Sequence, residues 1–108
     1  MLGFAALSDP TRRRIVEMLA SRELPAGEIA RRFDMTAPAV SQHLRLLRDA
    51  GLVQVRRDAQ RRIYALDPSG LAELDAWLAR FRRFWSHRLD ALERELERPE
   101  PQHRRTTR

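Results

Sequence analysis

The stretch from Thr36 to Val53, Thr-Ala-Pro-Ala-Val-Ser-Gln-His-Leu-Arg-Leu-Leu-Arg-Asp-Ala-Gly-Leu-Val, constrains the fold of this chain more than any other segment. Thr36 is a helix-capping residue type, and Pro38 falls in the first turn, where a missing backbone donor costs nothing. Val40, Leu44 and Leu47 recur at i, i+4 and i+7 and so line one stripe of a helix over 37–50. Gly51 follows where a left-handed residue ends a helix. Off the stripe stand Pro38, Ser41, Gln42 and Arg45, short or hydrogen-bonding side chains with one long cation. A merely solvated helix more often carries Glu and Lys there. A small, polar face of this kind suits close approach to base edges in a major groove.

The flanking segments extend the pattern. Ala26, Ile29, Ala30 and Phe33 give i, i+3, i+4, i+7 for a preceding helix, and Asp34-Met35 is a tight turn between the two. Two helices so joined form a helix-turn-helix. Upstream, Phe4, Ala5 and Leu7 suggest a short helix ending at Ser8. Asp9-Pro10-Thr11 then restarts a helix to about Ser21, with Ile15, Met18 and Leu19 inward, and Leu24-Pro25-Ala26-Gly27 breaks it. Downstream, Leu52–Arg57 and Arg62–Leu66 alternate apolar and polar residues around the turn Asp58-Ala-Gln-Arg61, a β-hairpin wing. Arg56, Arg57, Arg61 and Arg62 crowd its tip, placed for backbone phosphate or the minor groove. Asp67-Pro-Ser-Gly70 closes the hairpin, with Ser69 as the expected cap of a last helix.

In that last helix Leu71, Leu74, Leu78, Phe81, Trp85, Leu89, Leu92 and Leu96 recur at steps of three and four, and Trp77 and Phe84 broaden the stripe. A small domain cannot cover so long an apolar stripe alone, which predicts a homodimer with Leu74, Leu78, Phe81, Trp85, Leu89 and Leu92 at the interface. The expected organisation is one domain over 1–98 and a disordered basic tail over 99–108, where Pro99 and Pro101 fall. The expected fold class is mainly α (α+β): a winged helix-turn-helix with a two-stranded β-hairpin wing and a long C-terminal dimerisation helix.

Composition narrows the chemistry. The 108 residues carry a formal net charge of +6, and all 21 basic residues are Arg. GC-rich coding explains most of the choice of Arg over Lys, but the excess positive charge still calls for a polyanionic partner. With no cysteine, disulfides, thiolate metal sites and cysteine nucleophiles are excluded. The chain has no Gly-rich phosphate loop and no His paired with acids at a catalytic spacing, so an enzyme is not expected. No cofactor is implied. No apolar run approaches the roughly 20 residues that span a bilayer, and the N-terminus is too short for a signal peptide, so a soluble cytoplasmic protein without a membrane partner is expected.

This order of elements, with Leu7-Ser-Asp-Pro-Thr-Arg-Arg-Arg-Ile15, Ala39-Val-Ser-Gln-His-Leu44, Leu47, Ala50-Gly-Leu-Val53 and a wing strand holding Tyr64, resembles the ArsR/SmtB family of winged-helix repressors over about residues 4–96. The resemblance implies a cytoplasmic homodimer that binds imperfect palindromes of double-stranded DNA near promoters and blocks transcription. Carried over by position, Ser41, Gln42 and Arg45 would meet bases, Thr36 and His43 would lie near phosphate, and the wing arginines would meet the backbone. The metal-sensing branch carries Cys-x-Cys just after a Glu-Leu, whereas Pro25 and Gly27 follow Glu23-Leu24 here, and His87 stands alone in the last helix, so no metal site is expected. Gln60 stands where many relatives have Gly in the wing turn, which implies a looser hairpin tip. Two alternatives stay open. One is a protein-interaction module built on a winged helix. The other is a regulator responding to a small-molecule inducer in a dimer-interface pocket lined by Trp77, Phe81, Phe84 and Trp85.

Overall fold

Asp9 begins the framework, because its carboxylate accepts a hydrogen bond from the Arg12 amide at 3.0 Å and Pro10 opens the helix behind it. That cap sets one helix among five in a computed structural model that describes residues 2–97. The helices are α1 (Leu2–Ala6), α2 (Pro10–Ser21), α3 (Ala26–Arg31), α4 (Ala37–Asp49) and α5 (Pro68–Glu97); the strands are β1 (Leu24–Pro25), β2 (Val53–Asp58) and β3 (Arg61–Leu66). Among the described residues, those through Asp75 form one compact unit, and those from Ala76 to Glu97 belong to a second. The expected tail over 99–108 lies outside the described residues.

The core of the first unit is what the periodicities select. Ile15 and Leu19 from α2, Ile29 from α3, and Val40, Leu44 and Leu47 from α4 are buried together with Leu24, Leu52, Val53 and Tyr64. Full burial of each large aliphatic side chain is worth roughly 1.5–3 kcal/mol over leaving it in water. Thr36 caps α4, its Oγ1 accepting from the Ala39 amide at 3.2 Å. At the other end Gly51, at φ +77°, turns the chain left-handed. There the Leu52 amide reaches the Leu47 carbonyl at 3.0 Å and the Gly51 amide the Arg48 carbonyl at 2.9 Å. This double bond pattern satisfies carbonyls that the helix end would otherwise leave unpaired.

The sheet is antiparallel, with the order β1-β3-β2. The hairpin β2–β3 is joined by a short strand where local pattern suggests a mere break after α2: Leu24 pairs with Tyr64 and Pro25 with Ile63. Two residues are too few to show an alternation, and Pro25 is tolerated because β1 is an edge strand. Three other expectations are corrected. α3 ends at Arg31, so Phe33 lies beyond it and packs under the Arg14 guanidinium, 5.1 Å from its ring centroid. Asp67, not Ser69, caps α5: its Oδ1 accepts from the Ser69 amide at 3.0 Å and from the Ser69 hydroxyl at 2.8 Å. Leu74, expected at a dimer interface, is buried in the core of the first unit.

The wing turn differs in its strained position. Ala59 sits at φ +59°, the only non-glycine residue with positive φ among those described. An L side chain pays about 1–2 kcal/mol there. Ala59→Gly is therefore expected to stabilise the protein by about 1 kcal/mol, net of the extra freedom glycine gives the unfolded chain. Thermal unfolding should show a midpoint a few degrees higher, whereas Gln60→Gly should bring no gain. A gain at Gln60 and none at Ala59 would mean the turn is wound the other way.

Candidate nucleic-acid interface

Once α4 seats Val40, Leu44 and Leu47 in the core, its remaining faces follow from the 100° step between residues. Thr36, Pro38, Ser41, Gln42 and Arg45 are all exposed. Together they form a ridge of small and hydrogen-bonding groups that ends in a cation. Arg48 continues the exposed side toward the helix C-terminus and was not singled out from sequence. Its spacing of three from Arg45 was the available signal.

His43 departs from this ridge. Its side chain keeps only 17% of its exposure, with Nδ1 3.3 Å from Arg12 Nη1 and 3.9 Å from Asp9 Oδ2. A guanidinium can only donate, so Nδ1 accepts and a neutral His43 carries its proton on Nε2. Arg12 also donates from Nε to the Ala6 carbonyl at 2.6 Å. His43 thus ties α4 to the start of α2 instead of standing free beside the ridge. The hydrogen bond from the Arg12 amide, aided by the charge of the Arg12 guanidinium, holds the Asp9 carboxyl below the usual carboxylate range.

The four wing arginines divide into two kinds. Arg56 is bound by Glu23, which raises the guanidinium pKa further. Arg61 reaches Asp58 at 3.3 Å. Arg57 and Arg62, in contrast, are paired directly across the hairpin, both exposed, with no hydrogen-bond or ion-pair partner among the described residues. Like charges opposite one another in a ladder destabilise it. The arrangement suits a polyanion that would relieve the repulsion. Glu23 was missed from sequence because nothing local marks a pair 33 residues apart.

In the second unit, the apolar stripe of α5 is largely uncovered. Phe81, Phe84, Trp85, Leu89, Leu92 and Leu96 are exposed and Leu78 is half-buried. Trp77 and Phe81 lie 4.7 Å apart between ring centroids, and Arg88 sits 4.9 Å over the Phe84 ring. No described helix is long and apolar enough to cross a membrane.

Comparison with known proteins agrees with this geometry. Residues 9–55 match the family model described as bacterial regulatory protein, arsR family. The HTH-type transcriptional regulator Rv2034 of Mycobacterium tuberculosis is 51% identical over 87 residues, which is 81% of this chain and 78% of that protein. The transcriptional repressor SdpR of Bacillus subtilis is 36% identical over 78 residues, 72% of this chain and 87% of its own. Among solved structures, a possible transcriptional regulator for arsenical resistance superposes with a TM-score of 0.71 at 42% identity, covering 84% of this chain and 95% of that one. The homodimeric winged helix-turn-helix DNA-binding domain Mb0332 from Mycobacterium bovis superposes with a TM-score of 0.62 at 29% identity, over 72% of each chain.

Proposed function

We propose, for a chain that belongs to the ArsR family of bacterial regulatory proteins, that it is a homodimeric repressor laying α4 in the major groove of double-stranded DNA and its wing on the adjoining backbone. That it is a DNA-binding transcription regulator follows from the family, whose matched members are named as regulators and not as enzymes. The finer reading rests above all on one observation. The exposed ridge of α4 carries groups that discriminate, while the exposed wing carries charge that does not.

Gln42 presents a donor and an acceptor on one amide, the pairing that adenine offers in the major groove, and Arg45 matches guanine. Ser41, Pro38 and Thr36 are short enough to let the helix approach. Arg57 and Arg62 have no such selectivity and suit phosphate oxygens, which position a protein without reading sequence. Arg56 and Arg61 already have carboxylate partners and would have to exchange them, so they contribute less. The SdpR relative is named a repressor and the Mb0332 domain a homodimer; these support repression by a dimer. A twofold dimer implies an imperfect palindrome with half-sites about one helical turn apart.

Titrations on operator and scrambled duplexes over a salt series test the division of labour. Gln42→Ala should cost about 1–3 kcal/mol on the operator and little on scrambled DNA. The double change Arg57→Ala with Arg62→Ala should weaken both duplexes alike and lower the salt slope by roughly 0.9 for each phosphate no longer neutralised. Arg56→Ala and Arg61→Ala should lower it less. If the wing variants changed sequence preference while Gln42→Ala did not, the two roles would be reversed.

A further inference from the structure

The wing and the first helix of the helix-turn-helix enclose a groove of about 510 Å³, whose walls include Gly27, Glu28, Arg31, Arg57, Arg61 and Arg62. Arg31 and Glu28 line it from α3 and Arg57, Arg61 and Arg62 from the wing, and of these four guanidinium groups Arg31 holds Glu28 and Arg61 holds Asp58. Glu28 is held on its own helix, 2.5 Å from Arg31 and 3.5 Å from Arg32. Because Glu28 also has Arg32, it keeps a cation when Arg31 exchanges it for another anion, which Arg56 and Arg61 cannot offer their carboxylates. Arg57 and Arg62 keep their charges unmatched on the wing. Gly27 leaves the remaining wall open: a Cβ there would meet nothing within 4 Å. The groove is thus a cationic cleft without a large apolar side chain. That is the wrong chemistry for a hydrophobic ligand and the right one for an oxyanion bridged by forked donors.

We infer that this groove is a phosphate site, in which Arg31 from α3 closes on a phosphoryl group together with Arg57 and Arg62 from the wing. The inference rests on the DNA-binding reading and extends it. It carries the interface past the wing tip onto α3 and assigns a role to Arg31 that neither the ridge of α4 nor the hairpin supplies. The phosphoryl group is a phosphodiester of the bound duplex, and a soluble phosphorylated ligand would offer the same oxygens.

The test uses the full chain, with fluorescence anisotropy on operator and scrambled duplexes from low to moderate salt. Arg31→Ala should lower the slope of log affinity against log salt by roughly 0.9 on both duplexes. Gly27→Glu should weaken both by about tenfold at low salt through local charge repulsion, while the uncharged Gly27→Gln, of equal size, should stay within about twofold of the wild type. The inference is overturned if Arg31→Ala keeps the wild-type slope and the two Gly27 variants bind alike, while Arg57→Ala with Arg62→Ala still lowers the slope. In that case the wing reading survives alone. A slope that no arginine variant changes overturns both readings. Calorimetric titration of free protein with pyrophosphate separates the sources. Binding abolished by Arg31→Ala and competing with duplex assigns the groove to soluble phosphoryl ligands as well. No binding of pyrophosphate alongside the slope changes assigns it to the DNA backbone only.

Discussion

Trp85→Ala is expected to leave a folded monomer at micromolar concentration, where the proposed dimer of the wild-type chain should persist. The reason lies in the α5 stripe, on which Phe81, Phe84, Trp85, Leu89, Leu92 and Leu96 are exposed within one unit. A contiguous apolar surface of this size marks an association site in a soluble protein. Trp85 offers the largest side chain on it. Removing a large aromatic from a packed interface costs on the order of 3–5 kcal/mol, or roughly two to four orders of magnitude in the dimer dissociation constant. Trp85 is not among the residues of the winged-helix core, so circular dichroism should show that unit intact. Light scattering gives the mass. Operator affinity should fall with it, because two linked half-sites become two independent ones. A wild-type chain that is monomeric at these concentrations would remove the basis of the prediction.

Gly70→Ala should destabilise the protein by on the order of 3 kcal/mol or more, although helix propensity alone says the opposite. Gly70 lies in the first turn of α5, where alanine is normally favoured by about 1 kcal/mol. A Cβ at this position would stand 1.7 Å from the Gly51 carbonyl oxygen and 2.4 Å from its carbon. Neither atom can swing aside as a side chain would. Gly51 is fixed by its left-handed φ at the end of α4, and the Leu52 amide is bonded to Leu47. Relief therefore requires lifting the start of α5. That stretches the bond from the Asp67 amide to the Leu52 carbonyl, now 2.9 Å, and draws Leu74 from the core. Overpacking alone typically costs about 1–3 kcal/mol. The loss is a large part of the roughly 5–15 kcal/mol that holds such a domain together. Urea unfolding reads the change in midpoint. Equal or higher stability of the alanine variant would refute the close approach.

The sequence by itself determined whatever is decided within one or two turns of chain. Asp9-Pro10 and Thr36 with Pro38 announce two helix starts because a capping oxygen reaches amides only three residues on. Val40, Leu44 and Leu47 announce which side of α4 goes inward, and hence that Ser41, Gln42 and Arg45 go outward. Gly51 announces the stop, and the alternation in 52–66 announces the hairpin. Those signals sufficed for the winged-helix class and for the resemblance to the family.

Tertiary structure alone decided the rest, because it depends on groups brought together from distant parts of the chain. The two-residue β1 exists only because β3 offers it a partner. Four wing arginines that look equivalent in sequence become two neutralised and two unmatched once Glu23 and Asp58 take their places. His43, which the family resemblance places near phosphate, has Arg12 and Asp9 of the α2 start as its neighbours. Leu74 shares its periodicity with Phe81 and Trp85 but is spent in the core of the first unit. Local pattern fixes which residues can be buried or charged together; only the packed chain fixes which partner each one meets, since burial and Coulomb attraction act through space with no regard for sequence separation.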